Sequence, residues 1–499
     1  MRFIISFFKE KQYRIVILLN IIFAVILLAY LNVFGKLASK YTLYVFVAPL
    51  FLIVLFNVKN ILFKILLPLG FLIFVENTII SSIPVAKMFR VGGALIFAMT
   101  ALLSILYFNK REKLPKRYGF QWAMYFLFVA LSFVIGSTVS ANLFNANVEA
   151  IVTYYFEFFL YFYLGYLAFK DVETVKKFLF ILIVMGFLSA VGHIFSLISG
   201  VNLEAIRGSS AVSESRDVAE GHWRYGGFFG NVNTMSAFYV MMIPASLYLA
   251  ITDKSVMKKS FAVLNIMTMI LSLLMGASRG GLLFVVANML VVLFFVKIKL
   301  KNILVGGFVI IVIGLILNFA LNQFFMEYIS RAFDEMSRKG TDSPREVIWA
   351  YTVKIIADYP FGLGVSTYNF SHILRKYGNI FWSNPHNMYL EMITQTGFGG
   401  LIFFLSIVIR TMLRSIKSFR NSINPDFRQS LTIIFLNISG FMMMGFTEPV
   451  FRNQYKLNHI FAILLGLSVS LTFRLSNLGK EKEIKPGGEN TDEAIIQNR

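Results

Sequence analysis

Three side chains, Arg279, Arg345 and His386, lie far apart along a chain of 499 residues, and each stands at a turn or helix start. Arg279 sits within Gly276-Ala277-Ser278-Arg279-Gly280-Gly281, where the glycines let backbone approach a ligand closely. Arg345 follows Ser343-Pro344 and precedes Glu346. Ser343 suits an N-cap, Pro344 the first helical position and Glu346 a capping box, which predicts a helix through VIWAYTVKIIAD that stops before Pro360. An arginine in that first turn adds a planar donor fork to the free N–H groups of a helix start, a combination that suits an anion. His386 belongs to Asn384-Pro385-His386-Asn387. With Asn384 as N-cap and Pro385 as first helical residue, the helix runs through MYLEMITQT to a stop at Gly397. His386 then lies in its first turn, where the dipole disfavours imidazolium and leaves a neutral ring able to accept a proton. A fourth basic residue, Arg224, lies in His222-Trp223-Arg224-Tyr225-Gly226-Gly227, ahead of a segment that Asn233 is suited to cap.

Arg224, Arg279 and Arg345 together suit a lipid diphosphate, holding it and stabilising charge that develops on it as a leaving group. A neutral His386 would take the proton of an attacking hydroxyl. Glu448, in Thr447-Glu448-Pro449 near the end of an apolar run, suits a pairing with an arginine or contact with an acceptor. Each residue also has a plainer reading. Arg279 fits a snorkelling interfacial arginine, Arg345 a first-turn surface residue, Arg224 one charge among several in its loop, and a lone histidine is usually structural. His193, His222, His372 and His459 attract no role. The acids Asp334, Glu335 and Asp342 fall in a mixed-charge stretch, which reads as a solvated face and not a cation site. No metal or cofactor is expected: there is no P-loop and no dinucleotide fingerprint. The absence of cysteine removes thiolate chemistry and Cys-based metal sites.

The elements that must position these residues follow from composition. Hydrophobic residues make up 57% and charged residues 15%, against roughly 25% charge in soluble domains. A soluble enzyme, a secreted domain and a disordered chain are thereby excluded. The formal charge of +21 reflects basic residues flanking membrane spans, which set orientation, and does not call for a nucleic-acid partner. Runs of about 20 apolar residues mark helices that cross a bilayer. About 14 are legible, near 13–33, 42–57, 60–76, 88–107, 120–140, 150–169, 177–199, 231–252, 259–276, 280–297, 303–323, 396–415, 429–447 and 458–474. The second and third are short, and a re-entrant pair there would leave 12. The first follows a basic start without a cleavage site and reads as an uncleaved anchor.

With the N-terminus cytoplasmic, short Lys/Arg-rich connections alternate with longer mixed ones, as the positive-inside rule requires. Arg224, Arg279, Arg345, His386 and Glu448 then share the outer face. The expected fold is an all-α polytopic membrane protein. It has N-terminal membrane helices over 1–223, a catalytic membrane region over 224–474 and a disordered cytoplasmic tail over 475–499. The long outer loop, 324–395, contains helices; loops beyond about 12–15 residues are usually functional or disordered.

GGFFGNVNTMSAFYVMMIP, LLMGASRGG, SPREVIWAYTVKIIADYPFGLGVSTYNF and NPHNMYLEMITQTGFGGLIFF, in this order over about 224–410, resemble the motifs of the O-antigen ligase/polymerase superfamily. The resemblance implies a GT-C-like glycosyltransferase fold with a large extracytoplasmic loop over a lateral cavity. It implies glycan transfer from an undecaprenyl-diphosphate carrier, without a metal and with inversion. The family's two functional arginines and one histidine correspond to Arg279, Arg345 in the R-x-x-x-W motif, and His386, which is followed by Asn387 in the H-N motif. Arg224 occupies the place of a further basic residue. Expected partners are the carrier-linked glycan, a glycan or lipid or wall acceptor, the bilayer and polysaccharide-assembly proteins. Expected location is the cytoplasmic membrane of a bacterium. A repeat-unit polymerase is favoured over a ligase. The rivals from other classes are a lipid-linked polysaccharide transporter, which would carry functional charges at mid-membrane, and a membrane scaffold, which would need no outer Arg/His set.

Overall fold

The structure, a computed structural model, describes residues 114–139, 144–169, 171–199, 216–217, 222–223, 229, 231–276, 278–296, 344–378, 380, 382–451 and 455–473. The four expected spans before residue 114, the span at 303–323, Arg224, the acids at 334–342, the Ser343 cap and the tail lie outside the described residues.

Helices account for nearly all of the rest. They are α1 (Lys116–Val139), α2 (Phe144–Ala150), a π-helical segment (Ile151–Phe156), α3 (Glu157–Ala168), α4 (Val172–Ser199), α5 (Val232–Thr252), α6 (Val256–Met275) and α7 (Arg279–Val292). After them come α8 (Pro344–Asp358), α9 (Thr367–Gly378), α10 (Met388–Asn421), α11 (Pro425–Met444) and α12 (Tyr455–Phe473). One antiparallel bridge of two residues a side, Arg216–Asp217 with His222–Trp223, precedes α5. Five of these helices (α1, α4, α5, α6 and α10) are long and apolar enough to cross a membrane. The chain is therefore an all-α polytopic membrane protein, as the apolar runs predict.

The sequence of α5 dictates its central place. It is buried on every side, from Val232 to Leu249, as a helix apolar all round must be. Its small residues Ser236, Ala237, Ala245 and Ser246 let α6, α7 and α11 approach closely. The outer helices α7 and α10 bury one face only. On α7, Leu283, Val286 and Leu290 point outward at helical spacing, and on α10 Phe398, Ile402, Ile409 and Leu413 do the same. Such apolar stripes would be costly in water and are at home against lipid tails. The tightest pair is α3 with α12. A Cβ on Gly165 would strike the Ile463 carbonyl, and one on Gly466 the Phe162 carbonyl. Between these helices Glu157 Oε2 and His459 Nε2 lie 3.1 Å apart, both side chains fully buried. The sequence reading left His459 without a role, and His193 likewise; the latter meets Ser272 Oγ at 2.7 Å inside the bundle.

At 1.5 Å per residue, α5 spans about 30 Å, the thickness of a bilayer core. Its start, the end of α6, the starts of α7 and α10 and the end of α11 therefore share one end of the bundle. Asn231, and not Asn233, caps α5: its Oδ1 takes the Asn233 N–H at 2.7 Å. The residue two positions earlier wins because a capping side chain must sit outside the first turn that it serves.

At that end α8 and α9 form a hairpin with its own small core of Ile348, Ile355, Leu363, Phe370, Ile373 and Leu374. Tyr377 closes the pair with a hydrogen bond to Asp358, which pushes its phenol up to about 12. The link from Pro360 to Ser366 starts at the surface, with Phe361 exposed, and is buried from Gly362 onward. It enters the bundle between α1 and α10, about two helical turns below their ends. Leu363 N–H donates to Thr394 O at 2.7 Å, Gly364 N–H to Ser132 Oγ at 3.0 Å and Ser366 N–H to Asn147 Oδ1 at 2.9 Å. Ser132 Oγ in turn donates to Gln395 O. Irregular backbone at this depth is tolerated because protein groups satisfy it.

Gly364 has φ +105°, and a Cβ there would meet the Asn369 amide and stand 2.5 Å from Gly136 Cα. Gly364→Ala is expected to cost about 2–4 kcal/mol through strain and overpacking. Gly119→Ala, whose Cβ meets nothing within 4 Å, should be close to neutral. Thermal unfolding of the two purified variants side by side checks this.

Candidate active site

Three segments distant in sequence converge at the end of the bundle just described. Arg345, in the first turn of α8, donates from Nη2 to Glu448 Oε1 at 3.0 Å. Glu448 follows the turn after α11, where its own N–H returns to Met444 O at 3.0 Å. Its side chain is 7% exposed, while that of Arg345 is 38% exposed. The other carboxylate oxygen, Oε2, faces His386 Nδ1 at 4.0 Å. That is within reach of an ion pair but too long for a hydrogen bond. Nδ1 is shielded from solvent and has no hydrogen-bond partner among the described residues.

Local sequence explains each placement. Arg345 and Trp349 are four residues apart and so share one face of α8. While Arg345 reaches Glu448, Trp349 Nε1 donates to Pro385 O at 2.7 Å and ties the helix to the histidine's own loop. That bond gives the R-x-x-x-W spacing a physical reason. The role of Trp349 escaped the sequence reading, although the i, i+4 relation to Arg345 carried the signal. Trp382 packs edge-on against the imidazole, with ring centroids 5.1 Å apart.

The start of α10 corrects the expectation at His386. Asn384 does not cap a helix. Its Oδ1 takes the N–H of His386 itself at 3.0 Å, an Asx turn that leaves His386 at φ +50°. A left-handed residue cannot lie in a first turn. The cap is Asn387, which accepts from Tyr389 N–H at 2.9 Å and Leu390 N–H at 3.0 Å, so that α10 begins at Met388. His386 therefore lies outside the helix, with the Glu448 carboxylate facing its Nδ1. Asn387 is committed on both sides, since its Nδ2 donates to Phe446 O at 2.9 Å. Gly397 does break the helix, as expected: at φ 70° and ψ 178° its backbone is non-helical, and a second helix follows at a kink and runs to Asn421. Phe398 N–H donates to Pro360 O at 3.2 Å across the break.

Arg279 opens α7, and the start of that helix leans on the same turn after α11. A Cβ on Gly280 would stand 3.1 Å from Thr447 Oγ1, next to Glu448. The backbone of Arg279 thus reaches the junction; its side chain and all of Arg224 lie outside the described residues. Among the described residues no three His, Asp or Glu side chains gather as metal ligands.

Trp349→Phe keeps the ring and deletes the donor. It should cost about 1–2 kcal/mol by leaving the Pro385 carbonyl unpaired. The loop of His386 should loosen with it, seen as faster amide hydrogen exchange over 382–388 with 231–252 unchanged.

Residues 264–405, from the middle of α6 into α10, match the family model described as O-antigen ligase. A search of curated proteins finds no match. The matched stretch contains Arg279, Arg345 and His386, and over it the chain is similar to the O-antigen ligase family.

Proposed function

We propose that the protein is a membrane glycosyltransferase that polymerises undecaprenyl-diphosphate-linked glycan repeat units on the outer face of a bacterial cytoplasmic membrane, with both termini on the cytoplasmic side. The observation that carries this reading is the meeting of Arg345, Glu448 and His386 at one end of a lipid-facing helical bundle. Arg345, with Arg279 and Arg224, holds the diphosphate. A guanidinium there offers paired donors to the phosphate oxygens and stabilises the charge that develops as the carrier leaves. His386 is the general base. Its Nδ1 faces Glu448, which leaves Nε2 to take the proton of the acceptor hydroxyl. The hydroxyl oxygen attacks the anomeric carbon, the carbon–oxygen bond to the diphosphate breaks, and its electron pair leaves with undecaprenyl diphosphate. The proton stays on the imidazole and passes to water. No metal ion is assigned a step.

Transfer to a separate acceptor, as by a ligase, uses the same groups, and the match to the O-antigen ligase family model supports it as the second reading. The transport reading has one observation on its side, the buried Glu157–His459 pair. That pair is sealed between α3 and α12, which meet at Gly165 and Gly466, a contact that favours a fixed joint over a moving gate. Incubating purified protein with a defined undecaprenyl-diphosphate oligosaccharide tests all three. Longer carrier-bound chains support the polymerase, transfer to an added acceptor supports the ligase, and neither product rejects the enzyme reading.

A further inference from the structure

We propose that Glu448 is a positioning residue that changes partner during the reaction: a diphosphate arriving at Arg345 displaces it, and the freed carboxylate passes to His386 Nδ1. The inference rests on the reading that Arg345 binds the donor diphosphate.

Four observations support it. First, the Glu448 side chain is only 7% exposed, and a buried carboxylate must keep a partner. Second, its two oxygens already face two candidates, Oε1 toward Arg345 at 3.0 Å and Oε2 toward His386 Nδ1 at 4.0 Å. A movement of about 1 Å turns the second approach into a hydrogen bond. Third, exposure is unequal. Arg345, at 38%, is open to an incoming anion, whereas Glu448 is not, so a ligand meets the guanidinium first. Fourth, Nδ1 of His386 is shielded and has no hydrogen-bond partner among the described residues. It is the next group the acid can serve.

The exchange links donor binding to chemistry. Paired with Arg345, the carboxylate repels a diphosphate and leaves the imidazole without support. Paired with His386, it accepts the Nδ1–H, fixes the tautomer with Nε2 free, and stabilises the imidazolium that forms when the acceptor proton arrives. The base is then at full strength only when a donor is bound. By linkage, what the donor gains by freeing the acid appears as support for the histidine.

Two measurements on the full-length protein in lipid nanodiscs test the exchange. Glu448→Gln removes the negative charge and keeps the shape. Its affinity for undecaprenyl diphosphate should rise by about 3–10-fold, because the guanidinium no longer has a charged competitor. Its turnover at saturating donor should fall by about 100-fold, because the amide cannot stabilise imidazolium. A scaffold role predicts the opposite split, with affinity unchanged or weaker, and that outcome overturns the proposal. The second measurement needs no variant. The ¹⁵N resonance of His386 Nδ1 in the wild-type protein should move toward a hydrogen-bonded N–H when undecaprenyl diphosphate is added. A resonance that stays in place also overturns it. The parent reading fails separately: if Arg345→Ala binds undecaprenyl diphosphate as the wild type does, Arg345 is not the diphosphate ligand, whatever Glu448 does.

Discussion

Arg345→Ala should lower glycan transfer by about 10²–10³-fold, the scale expected when a charge-stabilising donor is lost from a transition state. It should also destabilise the protein. Glu448 would remain buried without its cation, and removing one member of such a pair costs about 3–5 kcal/mol in full burial. Arg345 is partly exposed, so water already shares its charge and the expected cost is nearer 2 kcal/mol. The two losses separate in a double variant. Arg345→Met combined with Glu448→Leu removes both charges together and should recover most of the thermal stability, yet remain inactive. Melting temperature in detergent and incorporation of labelled glycan, measured on the same preparations, check both halves. Near-wild-type transfer by Arg345→Ala would sink the assignment of that residue.

His386 offers the second large effect, and its backbone dictates the best substitution. At φ +50° the residue occupies a region that Asn tolerates and Ala does not. His386→Asn should hold the turn between Asn384 and Asn387 while deleting the base. Turnover should drop by about 10²–10⁴-fold, with folding and donor affinity retained. His386→Ala should lose the same activity and add a backbone cost of about 1 kcal/mol. If His386→Asn turns over at more than a tenth of the wild-type rate, proton transfer has another agent.

The helices of the bundle were legible because a bilayer imposes one rule on every span, a run of apolar residues of fixed length. The helix of Arg345 was legible for a local reason: Pro344 and Glu346 sit where a helix start wants them and Pro360 bars its continuation. The start of α10 was not. Asn384 and Asn387 are both good caps by type, and the choice between them depends on a bond from Trp349, more than thirty residues away, to the Pro385 carbonyl. Gly397 was legible as a break, because a glycine at the end of an apolar-periodic run marks a helix stop, and its backbone there is non-helical. Glu448 was singled out as a partner for some arginine, but nothing in the sequence says which; Arg345 is 103 positions away. The Glu157–His459 contact, across 302 positions, is likewise a product of packing alone.

The Pro360–Ser366 link has a practical consequence for anyone building chimeras from this protein. Residues 344–378 look like an autonomous cassette, with two helices and a private core. Their tether is a plug whose socket, Ser132, Gly136 and Asn147, is encoded some two hundred residues upstream. Transplanting the cassette without its socket would deliver a loosely seated hairpin and pull Arg345 off register, so domain grafts should carry the distant half of the joint with them.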